Sequence, residues 1–238
     1  MAVTVPIKGV ISSEDDADIY QFFGYQTVTP SDLSDALSQA SGQNVVLEIN
    51  SPGGDVFAGS EMATAIKNYS GSIITNIVGL AASAASVVAL AGDKVEMAPT
   101  AQLMIHRAST SANGNVDALN SAGQSLDSID QSLVDVYVAK TGMSPSDVYN
   151  MMVNETWINA KEAVEKGFAD DIMFDTAPAV TNSVLPLTTD MIHRVKSLMA
   201  KANSQQNKPT ESQYKDDGKK TINPKLALLL GIKNKEAK

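Results

Sequence analysis

The chain has 238 residues (25.1 kDa), of which 43% are hydrophobic, 5% aromatic and 19% charged, enough to bury a core without covalent staples. It contains no cysteine, which excludes disulfides, thiolate nucleophiles, iron–sulfur clusters and cysteine zinc sites. The net charge of −9 is uneven: residues 1–200 carry nine basic against 23 acidic residues, whereas 201–238 carry nine against four. An acidic body does not neutralise phosphates, so nucleic acid is not an expected partner.

In chain order, Val3–Ile11 reads as a first strand and Ser12–Asp18 as an acidic loop. Thr29-Pro30-Ser31-Asp32 starts a helix to about Gln39, with Leu33, Ala36 and Leu37 on one face. Val45–Ile49 is a short buried strand, closed by an Asn50-Ser51-Pro52-Gly53-Gly54 turn. A helix follows, with Ala58, Met62, Ala65, Ile66 and Tyr69 at helical spacing. The unit then repeats: Ile73–Val78 is a strand, Gly79–Ala82 a turn and Ser83–Leu90 a small-residue helix.

Short strands are predicted at Lys94–Met97 and Leu103–Ile105. Over 115–140 an apolar stripe of Val116, Leu119, Ala122, Leu126, Ile129, Leu133, Val136 and Tyr137 predicts a long amphipathic helix. Ser144-Pro145 opens another helix, and Ala160–Lys166 a third, stopped by Gly167. This alternation predicts an α/β fold with a largely parallel sheet. The body (1–174) is expected to end near Phe174, followed by a linker and short helix (175–202). The remainder (203–238) reads as a mostly disordered basic tail with a short apolar segment at Leu226–Ile232. No basic region precedes an apolar run at the start, and the uncharged stretch Ile77–Gly92 is short for a bilayer span. A soluble, cytoplasmic protein without membrane association, cofactor or metal is the expectation.

Few side chains can carry chemistry. Ser83 opens a helix after Gly79-Leu80-Ala81-Ala82, where unpaired amides and the positive end of the helix dipole suit a nucleophile that generates an oxyanion. A capping serine among small packing residues is the plain alternative, and Ser86, one turn on, should be buried. His106 closes the apolar strand Leu103-Met104-Ile105 at its carboxyl end, where α/β sites collect. His193, the second histidine, lies beyond the body. Asp170 and Asp171 follow Gly167-Phe168-Ala169, and either could orient an imidazole or be a solvated loop carboxylate. The Pro52-Gly53-Gly54 turn exposes backbone N–H groups but lacks the Gly-Lys-Ser/Thr of a phosphate loop.

The order and spacing of Asn50–Gly54, Gly79–Ser83, Met104–His106 and Ala163–Asp170 closely resemble the Clp protease proteolytic subunit family, ClpP, over residues 3 to 174. The resemblance implies a crotonase-type fold of repeated ββα units, with 115–140 as a protruding handle helix by which rings stack. By position it makes Ser83 the nucleophile, His106 the base and Asp170, in preference to Asp171, the orienting acid. The N–H groups of Gly54 (or Gly53) and Ala84 would form the oxyanion hole. It implies a serine endopeptidase in a ring-forming homo-oligomer, of which stacked heptamers are one form, acting on polypeptides.

Ala84-Ala85 stands where the family commonly has Met-Gly, and the chain starts near its first strand, which sets pairing with an AAA+ ATPase in question. Val5–Ile11 and Phe22-Phe23-Gly24-Tyr25 look like the ClpP-related head maturation proteases of phages and prophages, implying capsid or scaffold protein as substrate. The alternatives are an ATP-dependent Clp-type subunit working with an AAA+ unfoldase and an inactive ring-forming assembly protein. A Ser/Lys peptidase would need a lysine at 106, and an acyl-CoA hydratase would leave Ser83, His106 and Asp170 unexplained.

Overall fold

Alternation of buried and exposed side chains over Thr4–Ile7 sets the first strand, β1 (Val3–Ile11), which buries Val5, Ile7 and Ile11. The computed structural model describes residues 2–174, so the expectations for the linker, short helix and tail lie outside the described residues. The expected acidic loop is instead a helix, α1 (Glu14–Phe22). Its acids Glu14, Asp15 and Asp16 occupy the first turn, where the positive end of the helix dipole favours them. Then come β2 (Thr27–Val28) and α2 (Pro30–Ala40). Thr29 and Asp32 form a reciprocal capping box at the start of α2, and Pro30 occupies the first turn.

β3 (Val45–Gly54), α3 (Val56–Asn68), β4 (Ile73–Ala82) and α4 (Ala84–Leu90) form the centre. Both expected turns, Asn50–Gly54 and Gly79–Ala82, are strand. The first continues alongside β1, pairing Val10 with Gly53 and Ile11 with Gly54 after a register shift. Ladder partners on a neighbouring strand here outweigh the local turn preference of Pro and Gly.

The chain continues through β5 (Lys94–Met97), β6 (Gln102–Ile105), α5 (Val116–Thr141), α6 (Pro145–Val153), β7 (Thr156–Asn159), α7 (Ala160–Glu165) and β8 (Asp171–Ile172). The sheet runs β2-β1-β3-β4-β5-β8, all parallel, confirming the expected α/β class. It forks at β4. Ile74–Ile77 pair with β5, but Leu80–Ala82 pair with β6, which in turn pairs antiparallel with β7. Helix α4 packs on β3 and β4 and touches α3 and α5. The core gathers there, around Ile7, Leu47, Ile49, Met62, Ile77 and Leu103.

Of the stripe predicted for α5 only Tyr137 is fully buried; Ala122, Leu126, Ile129 and Leu133 are half-buried, and the other buried positions of the helix are Asp130 and Val134. Val116 and Leu119 are exposed. Tyr137 is the anchor: it is 1% exposed, packs edge-on against Phe168, and shares a 2.8 Å hydrogen bond with Ser86 Oγ on α4.

Burial pushes the Tyr137 phenol up to about 12, with the Ser86 hydrogen bond pulling weakly the other way. An unfolded tyrosine ionises at about 10. Between those values the unfolded chain has lost a proton that the folded protein keeps, so stability falls as pH rises through the window and is intact below it. Denaturant titrations across the alkaline range should show this slope, and Tyr137→Phe should remove it.

Candidate active site

Strands β3, β4 and β6 end together at their carboxyl edges, where sites form in parallel sheets. The register pairs Ala82 with Met104, so Ser83, one residue on, and His106, two residues on, leave β4 and β6 at the same edge of the sheet. Ser83 N–H donates to Met104 O (2.9 Å), and Ser83 Oγ lies 2.7 Å from His106 Nε2. With Nε2 unprotonated, the serine hydroxyl donates to the imidazole, the arrangement of a nucleophile and its base. Both residues are half-buried.

Ser83 stands at the strand-to-helix junction with φ 55° and ψ −127°, a conformation that non-glycine residues rarely adopt. Such a residue costs about 1–3 kcal/mol and persists only where its surroundings fix it. Here the fixing groups are identifiable. Besides the Met104 bond, Ser83 O accepts from Ser86 N–H (2.9 Å) and Ser86 Oγ (2.6 Å). Ser86 is itself held by Tyr137 on α5. The strained turn lifts the hydroxyl off the sheet edge toward His106.

Gly53 and Gly54 differ in position. Gly53 is buried at φ +90°, and a Cβ there would lie 2.5 Å from Ala82 O and 2.8 Å from Ser83 Cβ. Only glycine lets β3 approach the serine this closely. Its N–H donates to Ser51 Oγ (3.1 Å). Gly54 and Ala84 instead line a cavity of about 630 Å³ over Ser83. Ala84 opens α4, and the N–H of a first helical residue has no intrahelical acceptor. The far wall of the cavity is Leu126, Ile129 and Leu133 of α5.

Asp170 is not joined to His106. Its two oxygens accept from Lys140 Nζ at 2.9 and 2.8 Å, and Oδ2 also accepts from Val95 N–H at 2.7 Å. Burial raises its pKa, but the Lys140 ammonium and the Val95 amide outweigh that and hold the carboxyl below its ordinary value. Asp171 is further from the role: it is exposed, caps its own neighbour's N–H at Ile172, and approaches Lys94 at 3.5 Å. The structure thus joins Ser83 with His106 and places both aspartates in other pairs. His193 falls outside the described residues.

The sequence reading missed the groups on α5 that bond to residues around this site: Asp130 to Arg107 and Ala108, Tyr137 to Ser86, and Lys140 to Asp170. The available signal was an acid, Asp130, four and seven residues before the buried Val134 and Tyr137.

A family model described as Clp protease matches residues 31–176. The ATP-dependent Clp protease proteolytic subunit 1 of Chlamydia muridarum is 32% identical over 168 residues, covering 66% of this chain and 88% of that protein. The ATP-dependent Clp protease proteolytic subunit of Deinococcus radiodurans is 30% identical over 141 residues, covering 58% of this chain and 69% of the relative. Among solved structures, a mutant ClpP1 from Listeria monocytogenes superposes with a TM-score of 0.60. It covers 71% of this chain and 90% of its own, and at 22% identity the likeness is one of fold.

If the Ser83 turn is strained, relieving it should stabilise the protein. Ser83→Gly should unfold at higher denaturant than Ser83→Ala, by about 1 kcal/mol, because glycine adopts φ 55° freely. Equal stabilities would mean that the turn stores nothing.

Proposed function

The chain belongs to the Clp protease family, a family of serine peptidases, and on that premise we propose that it hydrolyses polypeptides with Ser83 as nucleophile and His106 as general base. The observation that carries the proposal is the 2.7 Å Ser83–His106 contact on a strained strand-to-helix turn. In the first step His106 Nε2 takes the hydroxyl proton as Ser83 Oγ attacks the scissile carbonyl carbon. The resulting oxyanion is stabilised by the backbone N–H groups of Gly54 and Ala84 beside the serine. Collapse breaks the C–N bond, His106 gives its proton to the leaving amine, and the acyl-enzyme remains. A water, deprotonated by His106, then releases the acid and regenerates Ser83.

Asp170 is the proposed third member, matched to the family motif. To orient His106 it must exchange its Lys140 partner, a pair in which the Asp170 side chain is 39% exposed and that of Lys140 17%. The catalytic unit is proposed to be a self-assembled ring. Exposed apolar residues such as Val116, Leu119, Phe57 and Trp157 support burial against further copies.

The ATP-dependent reading, in which an AAA+ unfoldase delivers substrate, is supported by the names of the relatives. The head-maturation reading, with capsid or scaffold protein as substrate, rests on the Val5–Ile11 and Phe22-Phe23-Gly24-Tyr25 segments. Degradation of a folded, tagged protein only in the presence of an AAA+ partner and ATP favours the first. Cleavage of a head protein without one favours the second.

A fluorophosphonate should add once to the wild-type protein, at Ser83, and not to Ser83→Ala. His106→Gln should lower peptide hydrolysis on the order of 10³-fold or more while the assembly persists. An adduct elsewhere, or none on a folded and assembled protein, would overturn the proposal.

A further inference from the structure

His106 follows the last residue of β6 and begins a stretch without helix or strand that lasts until α5. Its N-terminal side is fixed by the β6 ladders to β4 and β7. Among the described residues, 107–114 make no backbone–backbone hydrogen bond that would fix the other side. A buried side chain does so instead. Asp130 of α5 is 1% exposed and is the one buried charged residue among those described. Its Oδ2 accepts from Arg107 Nε at 2.6 Å and its Oδ1 from Ala108 N–H at 2.8 Å. Both oxygens are spent on the two residues that follow the base.

Arg107 is steadied further by Asp127 (3.1 Å) and by the Tyr149 ring, 5.4 Å from the guanidinium carbon. Buried ion pairs are seldom net contributors to stability, because desolvation offsets the attraction. Their directional bonds do fix geometry, and here the geometry fixed is that of the base. Resting on the peptidase reading, we infer that Asp130 is a positioning residue: by gripping Arg107 and Ala108 it holds His106 Nε2 in line with Ser83 Oγ.

The test compares Asp130→Asn, Arg107→Gln and the double variant as full-length assembled protein, with active serines counted by fluorophosphonate titration. Asparagine keeps an acceptor for the Ala108 amide but faces Arg107 with a donor. Asp130→Asn should lower kcat per titrated serine about 10- to 100-fold with KM within about two-fold, the signature of a misplaced base. The double variant should fall no further than Asp130→Asn alone, because the two residues act as one unit. If Asp130→Asn fails to assemble, Arg107→Gln alone, altering a part-exposed residue, should show the same loss of kcat at unchanged KM. A labelled wild type with kcat per site unchanged in these variants would overturn the inference alone. An unlabelled wild type would overturn the peptidase reading and this inference with it.

Discussion

The Ser83 turn depends on the parallel register between β4 and β6, which pairs Ala82 with Met104. The register sends Ser83 and His106 out of neighbouring strands at one edge, and the Ser83 N–H to Met104 O bond fastens the two exits together. Slipping either strand by one residue would turn its side chains to the other face and separate Ser83 from His106. The fork at β4 is what allows it. β5 takes the first half of that strand, and β6 is free to take the second. Gly53 then brings the end of β3 against the same point, where any side chain would collide with Ala82 O.

The C-terminal half of α5 backs this edge. Asp130 reaches the segment after His106, Tyr137 reaches the Ser83 turn through Ser86, and Lys140 holds Asp170. These contacts lie within three turns of one helix, so a shift of α5 against the sheet is felt by all of them. The N-terminal half of the same helix exposes Val116 and Leu119. An exposed apolar surface and the side chains that bond to the segments carrying Ser83 and His106 are thus carried by one helix.

Much of this was legible in the residues. The period-2 burial of Val5, Ile7, Leu47 and Ile49 and the 3.6-residue period of α2 and α3 are direct consequences of amphipathic patterning. The pairing of Ser83 with His106 was readable only from the order of four motifs, since a lone serine or histidine carries little information. Three features were not legible. The ends of β3 and β4 carry glycine and proline that read as turns, and only a neighbouring strand makes them ladder. The acids of α1 read as a loop because their benefit is an interaction with the helix end, not a periodicity. The partner of Asp170 was invisible because Lys140 is 30 residues away and lies on a helix whose rotation is set by tertiary packing.

The central claim is that the fold holds Ser83 in a strained turn from which its oxyanion falls onto backbone amides. A structure of the fluorophosphonate adduct tests it most directly. The account predicts phosphorus bonded to Ser83 Oγ, with one phosphonyl oxygen within about 3 Å of the N–H groups of Gly54 and Ala84 and the positive φ of Ser83 retained. A phosphonyl oxygen turned to solvent, with Ser83 relaxed to ordinary dihedrals, would contradict it.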